Sequence, residues 1–152
     1  MRNGWSDFLV DSNVLVYAFD PRDQRKRRQA VAILERLVSS GRGVLSVQCL
    51  SEFFNTVTRR LPERMPARMA LVELERFAQL WRILELTPAV VLEGCRIASE
   101  HSVSVWDSLI WAVAKLNQVP YVLTEDMQHG RYIEGVTFHN PFVPEFDPAL
   151  LD

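Results

Sequence analysis

Short apolar segments alternate with longer segments of helical periodicity along the whole chain of 152 residues. Apolar runs of four or five residues predict buried strands, and apolar positions three or four residues apart predict amphipathic helices. The predicted strands are residues 7–11, 43–46, 82–86, 120–124 and 135–139. The predicted helices are one beginning at residue 12, and 23–40, 47–60, 66–80, 88–100 and 105–117. Because strands that alternate with helices form mainly parallel sheets, we expect a single α/β domain over residues 1–152, with an irregular tail from about residue 140.

The composition, with 48% hydrophobic and 24% charged residues, is typical of a globular protein in water. No apolar run approaches the roughly 20 residues of a membrane-spanning helix, and the N-terminal residues do not have the pattern of a secretory signal. Cys49 and Cys95 are too few and too far apart for a disulfide framework or a zinc site. We therefore expect a cytoplasmic protein. Its formal net charge of −2 means that any nucleic-acid contact needs a local basic patch.

One carboxylate lies inside the most apolar run of the chain, FLVDSNVLVYAF at residues 8–19. Removing the ionised side chain of Asp11 from water costs several kcal/mol unless a cation or strong donors meet it. A simpler interpretation is that Asp11, or Ser12 after it, caps the following helix. In parallel α/β sheets, however, ligands bind beyond the carboxyl ends of the strands, which is where Asp11 stands.

Three further acids stand near predicted strand ends. Glu52 is in the helix after the second strand, Asp107 is in the first turn of the helix before 120–124, and Asp126 follows that strand. Taken singly, they can be an exposed helix residue, a capping partner of Ser104 and a turn residue. Taken together at one sheet edge, four carboxylates repel one another and favour a bound cation. Oxygen ligands without His or Cys favour Mg²⁺ or Mn²⁺, ions that assist phosphoryl chemistry.

Two cationic strips are candidates for RNA contact. The first follows Asp23 near a predicted helix start, where each cation is unfavourable by about 0.3–1 kcal/mol. It consists of Arg25, Lys26, Arg27 and Arg28. The second consists of Arg59, Arg60, Arg64 and Arg68, and Arg59 shares the helix face of Glu52. A solvated helix face is the alternative interpretation of both.

Two tryptophans flank Asp107. Trp106 and Trp111 can stack an RNA base, as aromatic side chains do in single-strand-binding proteins. Their helical spacing favours core packing instead.

Four ordered segments carry a resemblance to a known family. They are FLVDSNVLVYAFD, VLSVQCLSEFFNTVTRR, VSVWDSLIWAVAKLN and VPYVLTEDMQHG, and each supplies one of the four acids. In their order and separations the chain resembles the PIN-domain ribonucleases, most closely the VapC-like toxins of toxin–antitoxin pairs. The resemblance implies an α/β/α sandwich around a mainly parallel sheet of four to five strands. It also implies metal-dependent hydrolysis of RNA to 5′-phosphate and 3′-hydroxyl ends.

The resemblance assigns roles to individual positions. It implies that Asp11 and Asp107 hold the metal and that Glu52 and Asp126 complete the catalytic pocket. Small polar side chains that support the pocket by hydrogen bonds are implied at Ser12, Asn13 and Thr124. Glu125, beside Asp126, leaves open which of these two acids points inward.

The same resemblance implies partners. These are an RNA substrate, a cognate antitoxin protein laid over the toxin's groove, and a second copy of the chain held through the apolar helices of 47–80.

Three other classes of protein are weighed against this one. A haloacid-dehalogenase-type phosphatase needs a second Asp at position 13, where this chain has Asn13. A receiver-like Mg²⁺-binding module needs a Lys after a late strand, and Lys115 is in the wrong place. A non-catalytic protein whose acidic cleft receives a basic residue of another chain remains the alternative.

Overall fold

The computed structural model describes residues 7–152. Its strands are β1 Phe8–Val10, β2 Gly43–Ser46, β3 Arg82–Leu84, β4 Tyr121–Leu123, β5 Tyr132–Ile133 and β6 Val136–His139. Its helices are α1 Ser12–Tyr17, α2 Gln24–Ser40, α3 Val47–Asn55, α4 Ala67–Leu80, α5 Pro88–Glu100 and α6 Val105–Leu116. A π-helical turn, Thr56–Arg60, continues α3, and a 3₁₀ helix, Pro148–Leu151, lies near the C-terminus.

Within the described range, no helix has the length and apolar character needed to cross a membrane. The expectation about a secretory signal also involved residues 1–6, which lie outside the described residues.

The strands form one six-stranded sheet in the order β3-β2-β1-β4-β6-β5. All neighbouring pairs are parallel except β5 and β6. In the centre of the sheet, Phe8 pairs with Tyr121 and Val10 pairs with Leu123. The carboxyl ends of β1 and β4 are therefore level with each other, and the residues that follow them meet at one edge of the sheet.

Both faces of the sheet are buried. Phe8 and Val10 point into a core formed with α1 to α4, whereas Leu9 points into a second core formed with α5 and α6. This alternation follows from the two-residue period of a strand. A central strand covered on both faces is apolar throughout, which is why residues 8–10 form an unbroken apolar run. The predicted α/β/α sandwich with a mainly parallel sheet is confirmed.

The predicted number of four to five strands is wrong by one strand. β5 has two residues, too few to leave a periodicity in the sequence, and it pairs antiparallel with β6. The connecting residues Glu134 and Gly135 have φ angles of 41° and 91°, as a two-residue hairpin turn requires. A glutamate at the first turn position hid this hairpin, because Asn or Asp is the usual signal there.

Several predicted bounds shift by a residue or more, and the description of the tail also changes. β3 ends at Leu84 rather than at residue 86. The tail, expected to be irregular, includes the 3₁₀ helix and is anchored to the core by the buried side chains of Phe142, Phe146 and Leu151. The guanidinium of Arg42 donates to the carbonyl oxygens of Leu150 and Asp152 at 3.1 and 2.7 Å.

Candidate active site

Asp11 occupies the first position after β1, where the level ends of β1 and β4 bring two chain segments together. Its backbone N–H donates to the carbonyl oxygen of Leu123 at 2.9 Å, and its side chain is 3% exposed. Thr124 Oγ1 donates to Asp11 Oδ2 at 2.8 Å, and the backbone N–H of Ser12 donates to Oδ1 at 2.7 Å. The bond from Ser12 also caps α1, so the capping interpretation holds together with the buried position.

Hydrogen bonds alone do not compensate for the burial of Asp11. The pKa of Asp11 is raised to about 7, chiefly by burial and also by the neighbouring charges of Glu52 and Asp126, although the bonds from Thr124 and Ser12 lower it. No salt bridge pairs Asp11 with a cationic side chain anywhere in residues 7–152. A cation bound at this position would supply the missing charge.

Asn13 connects Asp11 to the segment after β4. Its Nδ2 group donates to Asp126 Oδ2 at 3.2 Å and lies 3.3 Å from Asp11 Oδ2. Its Oδ1 accepts from the backbone N–H of Glu125 at 3.3 Å, and the backbone N–H of Asp126 donates to Thr124 Oγ1 at 3.1 Å. Asn13 and Thr124 therefore orient Asp126 towards Asp11.

Asp107 comes from a third part of the chain, the first turn of α6. Its backbone N–H donates to Ser104 Oγ at 3.2 Å, and Ser104 Oγ donates to Asp107 Oδ2 at 2.9 Å. Partial burial raises the pKa of Asp107, and so do the charges of Asp126 and Glu52, whereas the bond from Ser104 lowers it. Helix capping thus holds this carboxylate at the site.

Three aspartates form a group with the spacing of metal ligands. Asp11, Asp107 and Asp126 each offer one carboxylate oxygen, and these oxygens lie within 4.8 Å of one another. Hard oxygen donors without nitrogen or sulfur fit Mg²⁺ or Mn²⁺. Burial is the main cause of the raised pKa of Asp11 and Asp107, and repulsion from Asp126 and Glu52 adds to it. A bound cation would offset that repulsion.

Glu52 lies beside this group and is held by two donors. Ser12 Oγ donates to Glu52 Oε2 at 2.8 Å, and Gln48 Nε2 donates to Oε1 at 2.8 Å. Gln48 also donates to the carbonyl oxygen of Trp106 at 3.2 Å, so it ties α3 to the start of α6. Sequence reasoning missed Gln48. Its one signal is its place one helical turn before Glu52.

Glu125 points away from the three aspartates. Its carboxylate accepts from the hydroxyl of Tyr17 at 2.6 Å and forms a salt bridge with the ammonium group of Lys26. These contacts favour Asp126, rather than Glu125, as the inward-pointing acid. They also pair Lys26, a member of the first cationic strip, with Glu125 of the same chain.

The other members of that strip lie outside the acidic cavity. Arg25 Nη1 donates to the carbonyl oxygen of Phe142 at 3.3 Å, and Arg27 and Arg28 are exposed on α2. These three arginines therefore lie on the protein surface and do not line the acidic cavity.

The carboxylates line a cavity of about 530 Å³. Its remaining wall includes Asn55, Thr56, Arg60 and Trp106.

Arg60, not Arg59, lines the cavity that contains Glu52. The backbone N–H of Leu61 donates to the carbonyl oxygen of Thr56, five residues earlier, at 3.1 Å. This π-turn holds one more residue than an α-helical turn and so moves each later side chain by one position around the axis. The expectation that Arg59 shares the face of Glu52 assumed a continuous α-helix and is wrong for that reason.

Comparison with known proteins places this fold in a family. The family model of the PIN domain matches residues 8–134. Comparison with curated proteins by sequence gives no match.

Solved structures of toxin–antitoxin systems have the same fold. A toxin–antitoxin complex from Klebsiella pneumoniae is similar with a TM-score of 0.64 and 16% identity, over 90% of this chain and 98% of that one. VapBC2 from Rickettsia felis, bound to promoter DNA, is similar with a TM-score of 0.62 and 16% identity, over 88% of this chain and 97% of that one. VapC20 of Mycobacterium tuberculosis, a sarcin-ricin loop cleaving toxin, is similar with a TM-score of 0.58 and 18% identity, over 76% of this chain and 87% of that one. With its family model matched over residues 8–134, its parallel sheet and its acids at the strand ends, the chain belongs to the PIN domain family.

Proposed function

We propose that this protein is a metal-dependent endoribonuclease and the toxin of a toxin–antitoxin pair. The observation that carries the proposal is the group of three aspartate oxygens within 4.8 Å of one another, centred on the buried Asp11. Membership of the PIN domain family and the likeness to a toxin that cleaves the sarcin-ricin loop support RNA as the substrate.

The roles of the side chains follow from their contacts. Asp11 and Asp107 would hold Mg²⁺ or Mn²⁺, and Asp126 lies close enough to contribute to the same site. When bound, such an ion activates water as a nucleophile and stabilises the charge on the phosphate oxygens. Glu52, held by Ser12 and Gln48, orients the attacking water.

The positions of the acids are fixed by polar neighbours. Asn13 and Thr124 hold Asp11 and Asp126 in place by hydrogen bonds. Supporting contacts of this kind keep ligands in the geometry that a metal requires.

The reaction products test the proposal. Purified protein is incubated with structured and unstructured RNAs in Mg²⁺ or Mn²⁺, and the ends of the fragments are identified by their sensitivity to a 5′-phosphate-dependent exonuclease. We expect 5′-phosphate and 3′-hydroxyl ends. Fragments with cyclic 2′,3′-phosphate ends would contradict the proposal, because they arise when the RNA's own 2′-hydroxyl attacks.

An antitoxin is proposed as the protein partner. The similar structures from Klebsiella pneumoniae and Rickettsia felis contain toxin and antitoxin together. In this chain, an apolar groove of about 590 Å³ lies between α2 and α4. Its lining includes Phe19, Val31, Leu34, Val38 and Leu80, with Glu35 and the ion pair of Glu73 and Arg76 at its sides. An apolar segment with a basic residue placed against Glu35 fits that chemistry.

Capture of the partner tests this assignment. Where the neighbouring reading frame encodes a short protein, that protein is co-expressed with the wild type and with Val38→Glu, which places a charge in the groove. We expect the variant to lose at least about tenfold in affinity, because its carboxylate would be buried against apolar side chains. Val91→Glu on α5, at 39% exposure against 36% for Val38, is the matched control. Equal capture by both variants would contradict the groove assignment.

Homodimer formation is proposed through the exposed apolar face of α4. Met69, Leu71 and Val72 are 58%, 52% and 52% exposed there. We expect a dimer in sedimentation analysis, and a shift towards monomer in Val72→Glu but not in Leu92→Glu on α5. A monomeric wild type at tens of micromolar would contradict the dimer.

The alternative function is a non-catalytic module whose acidic cleft receives a basic residue of another protein. It predicts partner capture that depends on Asp11 and Asp107, with no cleavage of RNA by the free protein. The cleavage assays therefore separate the two functions.

A further inference from the structure

We propose that Trp106 is a stacking platform for one unpaired nucleobase of the RNA, at the rim of the acidic cavity. The inference rests on the proposed nuclease function and names its substrate class: a single-stranded or extruded nucleotide rather than a base pair within a duplex.

The structure separates two tryptophans that the sequence left equivalent. Trp111 is fully buried, and its Nε1 donates to the carbonyl oxygen of Ile133 at 2.9 Å. Trp106 is 64% exposed. An indole that remains in water contributes little of the stabilisation that its burial would give, so packing does not account for tryptophan at this position.

The backbone of Trp106 is held by a hydrogen bond, while its ring is exposed to solvent. Its carbonyl oxygen accepts from Gln48 Nε2 at 3.2 Å, and it lies within the helical turn capped by Ser104. The next residue is Asp107, one of the three clustered aspartates. A base stacked on this ring is thereby held one residue away from a metal-binding carboxylate.

The cavity wall carries the remaining chemistry of a nucleotide site. Arg60 lines the cavity and forms no salt bridge with any carboxylate in residues 7–152, so its guanidinium is available to a phosphate. Asn55 and Thr56 add side chains that donate and accept hydrogen bonds.

An aromatic face, a cation and a group of metal-binding acids together match a base, its phosphate and the scissile bond. The bases of a duplex are stacked on one another and offer no free face to Trp106. An aliphatic side chain of a protein partner could also pack on an indole. An aliphatic side chain would not interact favourably with Arg60 or with the clustered carboxylates, whereas a nucleotide would, and this favours the nucleotide.

Binding is measured without cleavage, in Asp11→Asn protein with Mg²⁺. The probes are a short labelled single-stranded RNA and the same strand in a blunt duplex. Trp106→Ala, Trp106→Phe and the control Tyr132→Ala are each added to this background. Tyr132 is 67% exposed on β5 and lies outside the cavity lining.

We expect Trp106→Ala to weaken single-strand binding by about 5- to 150-fold, the range for loss of one base–aromatic stack. Trp106→Phe should recover part of that loss, and Tyr132→Ala should cause none. Binding of the duplex should be unchanged by all three. RNA should also quench less indole fluorescence in Trp106→Ala and Trp106→Phe, which both lack this indole, than in the parent protein and in Tyr132→Ala.

Three results would overturn the inference. The first is equal single-strand affinity of Trp106→Ala and its parent, and the second is an equal loss for single strand and duplex. The third is unchanged RNA binding with weakened antitoxin capture, which would assign Trp106 to a protein interface. Metal-dependent cleavage by wild type together with any of these rejects the inference alone. Trp106-dependent binding without cleavage by wild type rejects the nuclease assignment alone.

Discussion

Gln48 Nε2 lies 2.8 Å from Glu52 Oε1 and 3.2 Å from the carbonyl oxygen of Trp106, and so joins two walls of the acidic cavity. Gln48 is itself buried, and its Oε1 atom has no hydrogen-bond partner among residues 7–152. A buried amide with an unsatisfied oxygen carries a free-energy cost. The position of Gln48 therefore serves the cavity more than it serves the stability of the fold.

Replacing Gln48 should reduce activity with little loss of fold. We expect Gln48→Ala to lower RNA cleavage by about 10- to 100-fold, the usual effect of losing a side chain that orients a metal-site carboxylate. Ser51→Ala, at an exposed position of the same helix, should have no effect. Cleavage rate and thermal unfolding are measured together. An unchanged rate in Gln48→Ala would remove its role at the site.

The adjacent acids after β4 should differ in function. Glu125 is held by Tyr17 and Lys26, whereas Asp126 belongs to the close group of aspartate oxygens. We expect Asp126→Asn to lower cleavage by at least about tenfold, as for other groups that hold a metal. Glu125→Gln, the matched control, should retain most activity. The reverse order of the two rates would reassign the inward-pointing acid.

The register shift of the π-turn makes Arg60 and Arg59 a matched pair. We expect Arg60→Gln to weaken RNA binding and to reduce the slope of log affinity against log salt by about 0.7, the value for one phosphate contact with a single strand. Arg59→Gln should change both quantities less. Binding is measured across a salt series. Equal slopes in the two variants would contradict the assignment of Arg60 to the cavity.

Asp11 should make the metal-free protein less stable as pH rises. Its folded pKa is about 7 and its ordinary value is 3.8, so the folded protein binds the proton more tightly than the unfolded chain. The free energy of unfolding should therefore fall between about pH 4 and pH 7, by up to roughly 4 kcal/mol from this group. Urea unfolding in chelator at pH 5 and pH 8 measures the change.

Asp11→Asn provides the comparison, because it removes the titrating carboxyl and leaves other groups in place. We expect the variant to lose less stability than the wild type between these pH values. Added Mg²⁺ or Mn²⁺ should restore the wild type at pH 8 and leave the variant unchanged. Parallel pH profiles for the two proteins would contradict the raised pKa of Asp11.

The centre of the site could be predicted from the sequence because β1 and β4 are parallel strands with level ends. An acid that follows either apolar run lies at the shared carboxyl edge of these two strands, so Asp11 and Asp126 could be expected together. Thr124 could be assigned through the family resemblance, and it donates to Asp11. The capping interaction with Ser104, which the sequence suggested, also holds Asp107 in its position at the site.

The rest depended on tertiary structure that no periodicity records. Arg60 replaces Arg59 because a π-turn changes the helical register, and helical spacing alone does not reveal such a turn. Trp106 and Trp111 occupy the same helix, and only the packing of α6 decides which of them is exposed. Gln48 can join Glu52 to Trp106 only because α6 packs close to α3 in the folded chain.

RNA cleavage by the purified protein, with Mg²⁺ or Mn²⁺ and with chelator, beside Asp11→Asn at equal concentration, tests the central claim most directly. Thermal unfolding establishes that both proteins are folded. The account predicts cutting by the wild type with the ion, none in chelator, and none by Asp11→Asn. Cutting that persists in chelator or in Asp11→Asn would contradict a metal-dependent centre at Asp11. No cutting of any tested RNA by the folded wild type would favour the non-catalytic alternative.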